Sequence, residues 1–467
     1  MSRPRRRGSG TKRARPIPAE TIAREILGQA RPILVGQVAG MAFAVVDTVL
    51  CGRASAVDLA TMGIGLSVYA TVFVGLIGAT SALNPIVAQH LGAGRLTAIG
   101  ATYVQGLWMA VLLAAAGMVP LLLAGAWLPW LRAPAEVEAN VARYLRVLAL
   151  ALPGALMFRA IYAVNTAVSR PHVVMTLQLT GLALKVVLSY VFILGGFGVP
   201  AMGAVGGALA SSIVVWAQFL LGFAYMQRDA FYAAFDIRGA WPRWLVLREI
   251  LALGVPMSAS YALEATSFTA MTLLAARLGT AVVGAHQVAA NLAAVCFMLP
   301  LSLSIATGTL TAQSIGAGDP VQARQTALTG LRIGALVAAL TVLTVWTLRA
   351  GIVGLYTRDA GVASNALALI PYLTFFHFFD AMQAVASFVL RAYKLAIVPL
   401  VIHAAALWGV GVLGGYFVAF GGLLGPPWGI AGMWLMQGTA LALAAILLVG
   451  FYLGRPRLDR GWQPTRV

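Results

Sequence analysis

Long apolar runs, separated by short polar stretches, follow one another along most of the chain of 467 residues. A helix of about 20 mostly apolar residues is long enough to cross some 30 Å of membrane hydrocarbon. The pattern therefore predicts an all-α integral membrane protein with twelve transmembrane helices. Their approximate limits are residues 27–50, 61–88, 99–125, 141–168, 172–194, 205–226, 249–276, 282–311, 327–348, 366–390, 397–421 and 428–453.

Composition agrees with a protein whose main solvent is lipid. Hydrophobic residues make up 60% of the chain and charged residues only 10%, and the mean hydropathy is +0.88. Soluble domains carry about 25% charged residues. So few charges cannot cover a large surface that faces water.

The net charge of +18 invites a nucleic-acid interpretation, but the position of the basic residues argues against it. They lie in the N-terminal tail and in alternate loops, as the positive-inside rule expects of cytoplasmic segments. The loops at 195–204 and 422–427 have no charge. The basic loop residues are Arg95, Arg170, Arg228, Arg238, Arg243, Arg324, Arg391 and Lys394. We expect a multi-pass protein of the plasma membrane, a bacterial inner membrane, with both termini in the cytoplasm.

An internal repeat divides the chain into two halves. Residues 88–94 read Ala-Gln-His-Leu-Gly-Ala-Gly and residues 312–318 read Ala-Gln-Ser-Ile-Gly-Ala-Gly, an offset of 312 − 88 = 224 residues. Six spans thus precede six related spans in the same orientation, a parallel repeat of the kind found in secondary transporters. The predicted divisions are a basic cytoplasmic tail at 1–24, a six-helix bundle at 25–227, a cytoplasmic linker at 228–247, a second bundle at 248–455 and a cytoplasmic tail at 456–467.

Three acidic residues lie inside predicted spans, where an ionised side chain costs at least about 2.5–3.5 kcal/mol. They are Asp47, Glu264 and Asp380. Helix rise places Glu264 about 22 Å and Asp380 about 15 Å from the inner side, so the two can share one cavity. We expect these carboxylates to bind a coupling cation, H⁺ or Na⁺, in competition with a cationic substrate. The alternative is that each is a structural acid paired with a buried base.

Two basic residues inside spans are possible partners for these acids. Lys185 lies in the middle of the fifth span, at a depth where it can neutralise Asp47. Arg159 in the fourth span is too central to reach the membrane surface. If Lys185 pairs with Asp47, the first half offers no net charge to an incoming cation.

Further polar and aromatic residues are candidates for the substrate cavity. Phe376 and His377 share the helix face of Asp380, and aromatic faces attract cations. Tyr261, three residues before Glu264, is a candidate hydrogen-bond partner for it. Gln287 and Asn291 in the eighth span either line the cavity or bond neighbouring helices. Packing is the alternative for Phe376, and a core position the alternative for His377.

Motifs for ATP binding, for nucleophilic catalysis and for metal clusters are missing from the sequence. We therefore expect a protein that is not an enzyme and needs no cofactor, with Na⁺ at Glu264 and Asp380 as the one metal ion to consider. The two cysteines, Cys51 and Cys296, lie within or beside apolar segments and do not indicate a disulfide.

Several segments resemble the multidrug and toxic compound extrusion (MATE) family across roughly residues 25–455. They are Pro32 with Gln37, Val46–Gly52, Gln89–Gly94, Gly284–Ala289 and Leu390–Lys394. The resemblance implies two six-helix bundles forming a V that opens alternately to either side, and it adds Gln37 to the cavity candidates. Glu264 and Asp380 match the acids of the NorM-type branch, and Asp47 matches the first-span acid. Lys185 and Ser189 stand where this branch usually has an asparagine pair.

The expected function is cation-coupled antiport that exports amphipathic, mostly cationic drugs and toxic compounds. Its partners are small organic molecules and the lipid bilayer, without nucleic acid, and a path within one chain makes a monomer sufficient. The alternative is a flippase for a lipid-linked saccharide, which Arg159 and Lys185 favour. A membrane enzyme or receptor is a third class, for which the sequence supplies no nucleophile–base pair.

Overall fold

A computed structural model describes residues 18–131, 134–421 and 425–454. It contains twelve helices that are long and apolar enough to cross a membrane, which confirms the predicted all-α class. We number them spans 1 to 12. Their bounds are Ala19–Ala54, Ala56–Gly92, Leu96–Leu122, Glu136–Ala167, Pro171–Leu194, Gly203–Arg228, Trp244–Leu278, Thr280–Gly316, Pro320–Tyr356, Ala360–Ala392, Ile397–Phe420 and Gly429–Leu453.

Most helices extend several residues beyond the predicted apolar runs. The Ser55 hydroxyl accepts a hydrogen bond from the Asp58 amide at the start of span 2. The carboxylates of Asp319 and Asp359 cap spans 9 and 10 in the same way. These caps satisfy amide groups that the first helical turn leaves unpaired. Hydropathy detects only the part of a helix inside the hydrocarbon, so it places the ends too far inward.

Two spans are irregular. Span 2 has a turn at Ala82, after which Leu83–Gly92 forms a separate helix. Span 11 is π-helical from Ala404 to Gly414, between two α-helical ends. A π-helical stretch is rare and frequently lies at a functional site.

Helices of the two sequence halves meet through equivalent pairs of spans. Within the first half, span 4 packs against spans 2, 3 and 6, and span 1 packs against span 5. Within the second half, span 10 packs against spans 8, 9 and 12. Between the halves, span 1 contacts span 8 and span 2 contacts span 7. Because spans 1 and 2 correspond to spans 7 and 8 in the repeat, these contacts agree with a two-fold relation between the halves.

The halves are held together at one end of the molecule, which we call the closed end and define by residues 89–92 and 313–316. Gln89 Nε2 donates to the Ala392 carbonyl at 2.8 Å, across the interface. Gln313 Nε2 donates to the Ala167 carbonyl at 2.8 Å in the opposite direction. A side chain at Gly92 or Gly316 would overlap the backbone of the other half. Only glycine permits this approach.

The segment between the halves is anchored to the helix ends beside it. Asp229 forms a salt bridge of 3.0 Å with Arg170, which precedes span 5. The Gln105 side chain bonds the backbone at Trp241 and Arg243. The segment therefore lies along spans 3 and 5, and its limits as a linker stay a prediction.

Candidate functional site

A cavity of about 510 Å³ lies between the two halves. Spans 1, 2 and 4 line it from one side and spans 7, 8, 10 and 11 from the other. Most of the lining residues are apolar. The polar ones are Gln37, Ser81, Asn84, Arg159, Tyr162, Tyr261, Glu264, Gln383, Asp380, Ser387, Arg391 and His403. A mostly apolar cavity with few polar groups is the usual form of a small-molecule site.

Two of the three predicted acids lie together in this cavity. Glu264 enters from span 7 and Asp380 from span 10, and both line the wall. Their charges act on each other, and the Arg391 charge acts on Glu264. Neither forms a salt bridge with another described residue within hydrogen-bonding range. Neither carboxylate is therefore neutralised by a close basic side chain of the described residues.

A short chain of hydrogen bonds holds the Asp380 carboxylate. Gln383 Nε2 donates to Asp380 Oδ1 at 3.0 Å. The Gln383 oxygen lies 2.9 Å from His403 Nε2, which must carry the proton because an amide oxygen only accepts. Neither residue was predicted from the sequence. Gln383 was detectable from its i+3 position after Asp380, whereas His403 comes from span 11 without a local signal.

A buried arginine also faces the cavity, and the sequence analysis counted it among loop residues. Arg391 is 4% exposed because span 10 extends to Ala392, beyond the predicted end. Its Nη1 donates to the Tyr261 hydroxyl at 2.7 Å. The guanidinium carbon lies 4.7 Å from the Tyr261 ring centroid and 4.9 Å from that of Phe388. The suggested Tyr261–Glu264 hydrogen bond is not among the bonds of the described residues, and the Tyr261 hydroxyl instead accepts from Arg391.

Some of the remaining cavity candidates line the cavity and others do not. Gln37, Arg159 and Phe376 line the cavity together with Tyr261. The Arg159 guanidinium lies 4.4 Å from the Tyr162 ring centroid. Phe376 packs edge-on against Phe268 and Trp434.

His377, Gln287 and Asn291 are not among the residues that line the cavity. His377 is buried beside it, and neither ring nitrogen has a hydrogen-bond partner among the described residues. Gln287 and Asn291 are exposed, and the Asn291 amide bonds the Gln287 carbonyl of its own helix. A shared helix face in the sequence therefore did not predict which residues line the cavity.

The third acid, Asp47, lies outside the cavity and is paired with Lys185. Lys185 Nζ donates to Asp47 Oδ2 at 2.7 Å, and the Ser189 hydroxyl donates to Asp47 Oδ1 at 2.9 Å. Lys185 is fully buried and Asp47 is 6% exposed. The structure thus brings together the two residues whose depths matched in the sequence.

A comparison with known families decides the class of the protein. The sequence model of the MatE family matches residues 32–191 and 256–417. The chain belongs to the MatE family. The two matched segments begin at Pro32 and Pro256, at the offset of 224 (256 − 32) that relates the halves. Members of this family are transporters, so the prediction that the chain is a transporter and not an enzyme is confirmed.

Curated relatives are similar over nearly the whole MatE chain. It is 37% identical over 432 residues to the "Probable multidrug resistance protein NorM" of Aromatoleum aromaticum, covering 91% of this chain and 93% of the relative. The relative of the same name from Neisseria meningitidis serogroup B is 36% identical over 425 residues, covering 90% and 91%. "Multidrug resistance protein PmpM" of Pseudomonas aeruginosa is 32% identical over 435 residues, covering 91% and 90%.

Solved structures of MATE transporters share the fold. The crystal structure of the eukaryotic MATE transporter AtDTX14 superposes with a TM-score of 0.86 at 20% identity, covering 95% of this chain and 98% of that one. An outward-facing multidrug resistance MATE transporter of the MOP superfamily superposes with a TM-score of 0.84 at 18% identity, covering 96% and 99%. These likenesses concern the fold. The family match and the curated relatives, together with the twelve spans, establish a multi-pass membrane transporter.

Proposed function

We propose that this MatE transporter exports small amphipathic organic compounds, mostly cationic, in exchange for H⁺ or Na⁺. The observation that carries the proposal is the pair of carboxylates, Glu264 and Asp380, in an apolar cavity between two halves of the chain. The apolar wall suits the hydrocarbon part of a substrate, and the carboxylates suit its positive charge. The relatives named as multidrug resistance proteins support the same substrate class.

The proposed coupling is competition for the carboxylates. A carboxylate that holds a proton or Na⁺ attracts an organic cation less, and by linkage each ligand lowers the affinity of the other by the same factor. An ion gradient can therefore drive the substrate off its site on one side of the membrane. Both H⁺ and Na⁺ bind carboxylate oxygens, so either ion can take part in this competition.

Orientation follows from charge and from the closed end. The closed end carries Arg95, Arg170 and Arg324, which the positive-inside rule assigns to the cytoplasm of a bacterial inner membrane. The hydrogen bonds between the halves at this end support a cavity that is closed towards the cytoplasm. We infer that the structure represents the outward-open state of a monomeric transporter.

The test is ethidium export from proteoliposomes under an imposed pH or Na⁺ gradient. Wild type should export dye under one of the gradients, and the gradient that works identifies the ion. Glu264→Gln and Asp380→Asn should each reduce gradient-driven export at least tenfold, because about 1.4 kcal/mol of lost ion coupling is already a factor of ten. Glu249→Gln, at the closed end of span 7 and paired there with Lys394, is the matched control. Wild-type export by both cavity variants would refute the carboxylate mechanism.

The flippase alternative requires a cavity that binds a phosphorylated headgroup. Arg159 and Arg391 line the cavity and give this alternative some support. The two carboxylates balance these charges, which disfavours a dianionic ligand. Competition of a lipid-linked saccharide with ethidium, without any gradient-driven export, would favour the flippase.

A further inference from the structure

The lysine of span 5 is enclosed by oxygen atoms. Lys185 Nζ donates to Asp47 Oδ2 at 2.7 Å, to the Ser211 hydroxyl at 2.6 Å and to the Gly207 carbonyl at 3.0 Å. An ammonium group has three N–H donors, so each one has an acceptor. The residue is fully buried, although long basic side chains in membrane helices usually extend to the surface.

These acceptors form what we call the oxygen cage: the Asp47 carboxylate, the Ser211 hydroxyl and the Gly207 carbonyl. The Ser189 hydroxyl completes its wall by donating to Asp47 Oδ1. Spans 1, 5 and 6 each contribute to the cage. Carboxylate, hydroxyl and carbonyl oxygens are also the ligands that proteins offer to hard metal cations. In this chain, the cation at their centre is the end of a side chain.

We propose that Lys185 is a built-in cation that permanently fills the oxygen cage, so that the first six spans hold no exchangeable coupling ion. The inference rests on the proposed function, since it decides which carboxylates respond to the gradient. Asp47 is then a positioning residue that holds Lys185 and the three spans together. Ion exchange falls to Glu264 and Asp380, which line the open cavity, whereas Asp47 and Lys185 do not.

Because the Lys185 ammonium is covalently attached to span 5, its release from the oxygen cage is unfavourable. A coupling ion must leave its site in every cycle, whereas the Lys185 ammonium stays attached to span 5. Moving it out would leave Asp47 as an unpaired buried charge, which is strongly destabilising. The reverse holds as well, because Asp47→Asn alone leaves the ammonium unpaired. Loss of transport in that single variant therefore cannot show that Asp47 carries an ion.

A paired substitution separates the two roles of Asp47. Asp47→Asn with Lys185→Met removes both charges and keeps the approximate shape of both side chains. Because neutral replacement of a buried ion pair is often tolerated, we expect gradient-driven ethidium export within about twofold of wild type. Glu264→Gln serves as the inactive control in the same vesicles. Export as low as that of Glu264→Gln, by a double variant that elutes and unfolds like wild type, would overturn the inference.

A Na⁺ titration tests without a transport assay whether the oxygen cage binds an exchangeable ion. It does not depend on the folding of the paired variant. Purified protein carrying Glu264→Gln and Asp380→Asn is heated in increasing NaCl, with choline chloride as the reference. With Lys185 intact we expect no Na⁺-specific rise in the unfolding temperature. Lys185→Ala should open the oxygen cage and produce a saturable rise, since a ligand that binds only the folded state stabilises it. Adding Asp47→Asn should abolish that rise.

The outcomes are separable from those of the proposed function. A saturable Na⁺ response with Lys185 intact, abolished by Asp47→Asn, would show that the oxygen cage exchanges ions and would overturn the inference. The absence of any Na⁺ response after Lys185→Ala would show that these oxygens do not form a cation site, which also overturns it. If wild type exports no dye under either gradient, the proposed function fails, while the titration still tests the role of Lys185.

Discussion

At the scale of single residues, the cavity is a balanced set of charges. Glu264, Asp380, Arg159 and Arg391 all line the mostly apolar cavity, and the Arg391 charge acts on Glu264. Charges interact more strongly here than in water, because the effective dielectric constant of a protein interior is lower. The Arg391 charge therefore limits how strongly Glu264 attracts a cation. Such a limit is useful in an exporter, since a substrate held too tightly would not be released.

Removing one of these positive charges should tighten the binding of a cation. We expect Arg391→Gln to lower the Kd for ethidium about fivefold, which corresponds to roughly 1 kcal/mol of removed repulsion. Fluorescence titration of purified protein at constant pH and salt measures it. Arg391→Lys is the matched control, because it keeps the charge but loses the planar contact with Tyr261. Equal Kd values for wild type and Arg391→Gln would show that Arg391 does not influence the bound cation.

Some of the site residues could be predicted from the sequence and others could not. Acids inside apolar runs are rare, so Glu264 and Asp380 stood out without any structure. Arg391 did not, because arginines are frequent at the inner ends of spans and a short helix extension decides whether one is buried. Gln383 joins the site through a bond to Asp380 within span 10, whereas His403 joins it only through a bond from a second helix. Contacts between distant spans leave no local mark in a sequence.

At the scale of elements, the twelve helices were predictable because hydrocarbon requires length and apolarity together. The π-helical stretch at Ala404–Gly414 was not, since its residues are as apolar as the rest of span 11. The segment between the halves was predictable only in part. Its polarity predicted a connection between the two bundles, but its salt bridge with Arg170 depends on the packing of the folded chain. Asp229 accepts hydrogen bonds there from the Tyr225 hydroxyl at 2.7 Å and the Phe231 amide at 2.8 Å.

This anchor should respond to pH. The hydrogen bond from Tyr225, that from the Phe231 amide and the Arg170 charge hold the pKa of Asp229 below its usual value of 3.8. A lowered folded-state pKa contributes stability above the unfolded pKa and loses it as pH falls through the folded pKa. We expect slow hydrogen exchange of amides 229–236 at pH 7 and faster exchange, corrected for intrinsic rates, below about pH 4.

Asp229→Asn should show the faster exchange already at pH 7, and wild type should approach it on acidification. Asp236→Asn is the control, because the one ion pair of Asp236 within the described residues is with the nearby exposed Arg238. Protection that is the same at both pH values in wild type would contradict the role given to the Asp229 carboxylate.

At the scale of the whole molecule, the parallel repeat was readable from the paired motifs, but the conformation was not. A transporter with two accessible states has one sequence for both, and their relative free energies depend on contacts between the halves. The structure shows those contacts in duplicate. Gln89 and Gln313 occupy the same repeat position, and each donates to a carbonyl in the opposite half. Ser169 and Lys394, beside these carbonyls, both have positive φ angles.

Loss of these bonds should shift the molecule toward opening at the closed end. A hydrogen bond contributes about 1 kcal/mol net, so Gln89→Ala and Gln313→Ala should each increase the population open at this end about fivefold, and together by more. Ala312→Cys reports the opening, since Ala312 is fully buried on the span 8 face that carries Thr309 and Gly316. Its reaction rate with a membrane-impermeant maleimide, in a chain with Cys51 and Cys296 replaced, should rise accordingly.

Because the two contacts are related by the repeat, the prediction requires similar effects of Gln89→Ala and Gln313→Ala. Equivalent residues that stabilise one closed end should give similar effects, so a large effect of one glutamine and none of the other would contradict a duplicated contact. Gln322→Ala is the control, because Gln322 lies at the same end and forms no described bond between the halves. Unchanged maleimide reaction in the double variant would mean that the packing of spans 1 and 2 against span 8 holds the closed end without these hydrogen bonds.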